Sequence, residues 1–433
     1  MDRLSDLPDF LLSDILSRLP TTAEAARTSV LSTRWRYLFP SATTLIFICD
    51  RRVSDHFVAF VDRVLLLHSR APIKRFALAF RDEIAFEIDL VCGWISHVLE
   101  RGVEKLYFET RRERTANVLP TRFFTSKTLT KLTLCGLCNV IIPNEVCFSS
   151  LKSLHLEAVS FKERDSVQCI LSGCIVLEDL FIVNYIPMHF PWELSISNLS
   201  LKWLTIMGFD SETLRITVDA PSLVYLRLSG LNAESYSLIN LQSLVIVDFQ
   251  DMVFGVEFWI DVFLDDNDNI LQPRDIAVDL LTGIRNVQSL RLSSYFLRIF
   301  TLFDEPLLEY QNLVVLEIRN SDDECKGGLS QLLRMTPKLR TLIFRWGVFE
   351  QLTWDPTEKV ASCLFSHLKV IEIYSFDGHQ TTQMDMIQYF LKNASVLESL
   401  KVRPKKNVQE QTEIAKKLLT LPRESKICNV EII

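Results

Sequence analysis

The hexapeptide LKSLHL at Leu151–Leu156 carries a pattern that returns down the chain: apolar, two residues, apolar, one residue, apolar. LTKLTL at Leu129, LKWLTI at Leu201, LVYLRL at Leu223, LVVLEI at Leu313 and LKVIEI at Leu368 repeat it. With every plausible match included, the first positions are 73, 103, 129, 151, 177, 201, 223, 241, 287, 313, 339, 368 and 397. Apart from one interval of 46, long enough for two short units, the steps run from 18 to 30 residues, within or near the period of leucine-rich repeats. Each such repeat supplies one short strand whose leucines point into a core that no repeat closes without its neighbours. The reading is a solenoid built on a parallel sheet.

In the common repeat the ninth position is Asn or Cys. Here it is Leu137, Val159, Tyr185, Phe209, Leu231, Phe249, Tyr295 and Phe376 in eight of the ten units from Leu129 to Leu368, so an apolar spine replaces the asparagine ladder. FVDRVLLLH at Phe60 and WISHVLERGVEKL at Trp94 read as amphipathic helices leading to strands.

Ahead of the repeats stands LPDFLLSDILSRLP, Leu7 to Pro20, followed by TSVLSTRWRYLF from Thr28 to Phe39. Pro8 suits the first turn of a helix, and Leu7, Leu11, Ile15, Leu16 and Leu19 recur at helical spacing until Pro20 stops the run. Thr21 and Glu24 have the spacing of a capping box for a second helix. Ser32 can cap a third, with Trp35, Leu38 and Phe39 on one face. Three short helices bury too little to stand alone, yet carry more large apolar groups than so small a core can hide. Either the surplus packs on the rest of the chain or it faces a partner.

Composition narrows the partner. The chain has 433 residues, 48% hydrophobic and 23% charged, which excludes long disordered stretches. A net charge of -7 argues against nucleic acid or an anionic membrane as the main partner. No signal peptide and no apolar run of membrane-spanning length is present, so the expected setting is cytoplasmic and/or nuclear. The ten cysteines are then expected as buried thiols rather than disulfides, and the sequons at Asn198 and Asn393 as accidental.

Leu7-Pro8, Ile15-Leu16, Leu19-Pro20, Thr28 to Ser32 and Arg34-Trp35-Arg36 resemble, in order and spacing, the F-box of the plant F-box/LRR/FBD proteins. Near the C-terminus, CLFSHLKVIEIYSFDG at Cys363, MIQYFLKNASVLESLKV at Met386 and LPRESKICNVEI at Leu421 are similar to that family's FBD region. The resemblance implies an α/β fold: a three-helix F-box over residues 1–45, a curved leucine-rich-repeat solenoid with a concave parallel sheet over 46–355, and an FBD region over 356–433. It further implies docking on a Skp-type adaptor, and through it on a cullin, by Leu7, Pro8, Ile15, Leu16, Leu19, Pro20, Val30, Leu31 and Trp35. Thr33 and Phe39 depart from the residues common at those places. The function implied is that of a non-catalytic substrate-recognition subunit of a ubiquitin ligase; the rival is a solenoid that binds or sequesters a protein without joining a ligase.

Strand residues between the inward leucines face the concave side. Phe181, Val183, Trp203, Met207 and Tyr225 make its middle aromatic, while Arg291, Glu317, Arg319, Arg345, Glu372, Tyr374, Lys401 and Arg403 make the later part mainly basic. Phe181, Trp203, Tyr225, Arg291, Arg319, Arg345, Tyr374 and Arg403 are the candidate contacts for a protein segment carrying apolar and acidic residues. Catalytic signals are absent: no G-x-G-x-x-G, G-x-x-x-x-G-K, H-E-x-x-H or G-x-S-x-G occurs. Cys135 and Cys138 form a lone C-x-x-C without a second ligand pair at a usual distance, and read as buried thiols. DDNDN at Asp265 lacks the Gly and Glu of a calcium loop. RRER at Arg111 and RPKK at Arg403 read as surface. No cofactor or metal is indicated.

Overall fold

The computed structural model describes residues 7–50, 53–68, 72–81, 86–110, 119–137, 140–184, 192–210, 214–250, 273–293, 295–303, 308–319, 328–345, 360–376, 381–404 and 415–433. DDNDN, RRER, Cys138 and Tyr185 lie outside them. The chain divides into two compact units at Leu201 and Lys202, each an α/β ladder of parallel strands.

The first unit opens with the expected helices. α1 spans Asp9–Arg18, with Pro8 as its extended N-cap rather than in its first turn. α2 (Thr22–Arg27) is capped by Thr21, whose Oγ1 accepts from the Glu24 amide at 3.3 Å. α3 (Thr33–Leu38) is capped by Ser32, which accepts from the Trp35 amide at 3.4 Å. Each cap satisfies an amide that the first helical turn leaves without a partner. Leu12, Leu16, Ala25, Trp35 and Phe39 form the interior of this helical leader.

The leader is joined to the chain that follows. Strand β1 (Thr44–Cys49) comes before the first repeat that periodicity finds, with Leu45, Phe47 and Cys49 turned inward. The Ile46 amide donates to the buried Thr22 hydroxyl at 2.6 Å, and the Phe39 ring meets His68 edge-on at 5.1 Å. β1 pairs in parallel with β2 (Arg75–Phe80), and the ladder continues through β3 (Lys105–Thr110), β4 (Lys131–Cys135), β5 (Ser153–Glu157) and β6 (Asp179–Val183). Helices α4 (Asp55–Leu67) and α5 (Ile88–Glu100) fill the early crossovers, Ser54 capping the first of them. Later crossovers shorten, with α6 (Ser166–Ser172) against a further strand, β7 (Trp192–Ser197).

In the second unit the strands are β8 (Trp203–Asp210), β9 (Leu214–Asp219), β10 (Tyr225–Asn232), β11 (Ser235–Ile239), β12 (Ile246–Gln250), β13 (Ser289–Ser293), β14 (Val315–Arg319), β15 (Thr341–Arg345), β16 (Val370–Phe376), β17 (Ser399–Pro404) and β18 (Asn429–Ile432). β9 and β11 pair with each other apart from the main ladder, which runs β8, β10, β12 and on to β18. The interval of 46 residues is one ladder step and not two: Ile246 stands directly opposite Ser289, and the helix Pro273–Gly283 takes up part of the extra length.

One backbone contact recurs at almost every step. The Lys74 carbonyl accepts two successive amides from the next strand's entrance, Glu104 and Lys105, at 3.0 and 2.9 Å. The carbonyls of Glu104, Thr130 and Lys152 do the same in the first unit, and those of Val224, Val245, Gln288, Val314, Arg340 and Lys369 in the second. At these steps each strand therefore starts in phase with its neighbour, and its two central apolar residues fall in the core, as Leu154 and Leu156 or Leu316 and Ile318 do. The ninth-position spine is buried at Leu137, Val159, Leu231, Phe249 and Phe376.

Of the described cysteines, Cys49, Cys135, Cys174, Cys363 and Cys428 are buried thiols, whereas Cys147 and Cys169 are exposed. Among the described residues no helix is long and apolar enough to cross a membrane. Asn198 of the first sequon is buried: its amide donates to the Leu171 and Cys174 carbonyls at 3.2 and 3.1 Å, and its oxygen accepts from the Ser200 amide at 3.0 Å. Asn198→Ala is expected to cost about 2 kcal/mol by leaving these carbonyls without their donor, measured as a lower urea midpoint of the first unit's transition.

Candidate functional site

The leader's apolar residues sort into two sets. Leu12 and Leu16 lie one helical turn apart on the inner stripe of α1, and Trp35 is the buried residue of α3, which packs on α1. Leu16 and Trp35, expected on the docking surface, are 1% and 7% exposed and belong to the leader's own interior. Leu7, Ile15 and Leu19 are half-buried, and Pro8 and Pro20 are exposed. Val30 and Leu31, at the end of the tight turn Thr28–Val30, are 85% and 64% exposed. Two large side chains that the sequence reading passed over join them in exposure, Phe10 at 70% and Tyr37 at 82%. Both sit two residues from a buried one, Leu12 and Trp35, roughly opposite it on a helix turning about 100° per residue; that offset is the signal that could have found them.

Arg34 holds the two outer helices in place. Its guanidinium donates to Asp9 Oδ1 at 2.8 and 2.6 Å and to the Leu7 carbonyl at 2.6 Å. The starts of α1 and α3 are thus tied across the surface, while Ser13 and Ser41 share a 2.8 Å hydrogen bond deeper in. The leader thus presents large apolar side chains to solvent on a frame braced by these bonds.

On the second unit's open face, in-phase pairing sets Arg227, Asp248, Arg291 and Glu317 side by side, strand after strand. The expected basic character is corrected by this arrangement: the arginines are neutralised in part by buried carboxylates. Arg319 and Arg345 donate to Glu317 Oε1 at 2.9 and 3.1 Å, and Arg291 lies 3.6 Å from Glu317 Oε2. Asp248 accepts from Tyr225, Gln250 and Arg319. Lys401 pairs with Glu372 at 3.1 Å, and the Arg345 and Arg403 guanidinium groups lie 4.2 and 5.0 Å from the Tyr374 ring centroid. Trp203 remains 44% exposed. Three guanidinium groups, Arg291, Arg319 and Arg345, about two buried carboxylates, Glu317 and Asp248, leave a cationic excess, and Arg345 keeps 41% of its side chain open.

Burial by itself would raise the Glu317 carboxyl, but hydrogen bonding and charge from Arg319 and then Arg345 overcome this and hold it below the ordinary carboxylate value. A depressed folded value stabilises the protein above the unfolded value, and the effect is lost as pH falls through the folded one. Glu317→Gln is expected to lower stability by roughly 3 kcal/mol at neutral pH, because it strands its cations. The gap between variant and parent should close as pH drops through the depressed value, read from denaturant midpoints across a pH series.

On the first unit's open face Phe181 stacks on the His155 ring, with centroids 4.6 Å apart and 19° between planes. His155 and Glu157 stand on β5 beside Cys135 on β4. Burial first and the Glu157 carboxylate second push the Cys135 thiol up to about 12.

Three family models match the chain: the F-box domain over residues 4–43, the LRR repeats of the FBD-associated F-box protein At5g56370 over 91–249, and FBD over 355–402. Three Arabidopsis thaliana proteins are similar along its whole length. F-box/LRR-repeat protein At3g59200 is 34% identical, covering 100% of this chain and 88% of its own. F-box/LRR-repeat protein At4g14096 is 33% identical, over 100% and 95%. F-box/FBD/LRR-repeat protein At2g26030 is 30% identical, over 100% and 99%.

Proposed function

The chain belongs to the F-box/LRR-repeat proteins that carry an FBD region, and from that premise we propose that it is the substrate-recognition subunit of a Skp–cullin–F-box ubiquitin ligase. The observation that carries the reading is the two-sided leader. Its inner face is closed by its own chain at Leu12, Leu16, Trp35 and Phe39, so the exposed Phe10, Val30, Leu31 and Tyr37 have no packing duty of their own. They form, with Pro8 and Pro20, the surface offered to a Skp-type adaptor. The adaptor joins the chain to a cullin, and the repeats hold a protein target near the ubiquitin-charged enzyme that the assembly supplies. The contribution of this chain is proximity: it raises the target's effective concentration at a reaction carried out elsewhere.

The target surface is the second unit's open face. Trp203 supplies an exposed aromatic platform, and Arg291, Arg319 and Arg345 supply guanidinium groups that two buried carboxylates only partly neutralise. A segment pairing an apolar side chain with acidic ones fits this chemistry, since aromatic and Arg anchors dominate such contacts.

The test is adaptor binding by the full-length chain, measured by calorimetry against a plant Skp-type protein. Val30→Asp/Leu31→Asp is expected to weaken binding at least about 30-fold, as loss of a contact centre worth about 2 kcal/mol would, with an unchanged thermal transition because both residues are exposed. No binding by the unmutated chain would sink the ligase reading and leave a solenoid that binds or sequesters a protein on its own.

A further inference from the structure

Cys135, His155 and Glu157 are a repeat apart in sequence, yet parallel pairing puts Cys135 directly opposite Glu157, with His155 two residues earlier on the same strand. The thiol sulfur, a ring nitrogen and a carboxylate oxygen all lie within 4.8 Å of one another. Glu157 Oε2 is 3.7 Å from Cys135 Sγ and 3.4 Å from His155 Nε2. Around a tetrahedral zinc ion, with bonds of about 2.3 Å to sulfur and about 2.0 Å to nitrogen and oxygen, neighbouring ligand atoms stand roughly 3.5 Å apart for S and O and roughly 3.3 Å apart for N and O. Both measured separations are within a few tenths of an ångström of those edges.

We propose that Cys135, His155 and Glu157 form a site for a divalent transition metal ion, zinc(II) first among them, on the open face of the first unit. The donor set selects the ion. A thiolate and an imidazole suit zinc and its neighbours, whereas calcium and magnesium require oxygen. Two features prepare the site. Phe181 stacks on the His155 ring and holds its plane, reducing the entropy lost when the nitrogen becomes a ligand. Cys135 is shielded at 8% exposure, while the His155 and Glu157 side chains keep 28% and 49% open, so an ion enters from solvent over the carboxylate and meets the sulfur last.

In the metal-free chain the same atoms form hydrogen bonds, the thiol and the imidazole both directed at one carboxylate oxygen. Metal capture breaks the Cys135 S–H bond, releases that proton to solvent and forms the sulfur–metal bond with the electron pair left behind. Three protein ligands leave a fourth position for water. The bound ion clips β4 to β5 and replaces a weak hydrogen-bonded pair by bonds that chelators can remove.

The experiment uses full-length chain stripped with EDTA and kept reduced with a phosphine. Zinc(II) is titrated in competition with a chromogenic chelator, and cobalt(II) is added as a spectroscopic stand-in. One zinc per chain, bound more tightly than micromolar, is expected, together with a thiolate-to-cobalt charge-transfer band and the intense visible bands of a four-coordinate site. Cys135→Ser should abolish the charge-transfer band and weaken zinc at least about ten-fold, a lower bound set by what loss of a mere supporting contact costs. His155→Phe keeps an aromatic ring against Phe181, and should weaken zinc similarly with an unchanged circular dichroism spectrum; it gives the same reading if the serine variant fails to fold. Cys169→Ser, at an exposed thiol elsewhere, should change neither signal. Failure of the unmutated chain to compete for zinc, or an undiminished cobalt band in Cys135→Ser, would overturn the site and leave the three side chains as a hydrogen-bonded cluster.

Discussion

A carbonyl that accepts two amides from the next strand's entrance is the contact on which the rest of each unit depends. The crossovers between strands differ greatly in length and content, from the long helices α4 and α5 to short turns. Sequence distance therefore cannot keep the repeats aligned. The shared acceptor does, because at each step where it occurs it resets the strand to the same starting point before the apolar pair enters the core. A register slip of one residue would turn that pair outward and a charged residue inward, so the hydrogen bond and the burial of leucine enforce each other.

The same phase relation explains why the open faces carry networks rather than scattered charges. Neighbouring strands lie less than 5 Å apart, so residues at equivalent repeat positions become direct neighbours. Arg291 and Glu317, or Cys135 and Glu157, meet for this reason alone. Buried Asp248 and Glu317 then hold the surrounding arginines in fixed poses, which limits the side-chain entropy those arginines would lose on meeting a partner.

How much of this could be read from the sequence follows from what each signal depends on. The repeats were legible because the spacing of three apolar residues survives every change in crossover length, and the helix caps because Thr21 and Ser32 act on amides three residues away. Strand β1 was not, since its triplet opens on the small Ala42 in place of a large residue and the outward Ile46 and Ile48 are as apolar as the inward Leu45 and Phe47. The direction of side chains on short helices was legible only in part: Leu16 and Trp35 share the apolar character of Val30 and Leu31, and only packing separates inner from outer. The clusters on the open faces were least accessible. Their members belong to different repeats: the chain places Cys135 near Cys138, whereas strand pairing sets it opposite Glu157.

The two-amide step also has a consequence for how such a chain can change. Because phase is renewed at each carbonyl, lengthening or shortening one crossover does not displace the strands beyond it. The longest interval, between Leu241 and Val287, is bridged by a single ordinary pairing of β12 with β13. Insertions and deletions are thereby confined to the repeat in which they occur, and the outward residues of one strand can be exchanged with little effect on strands further along. Within each unit the open face is thus modular, and can diverge strip by strip.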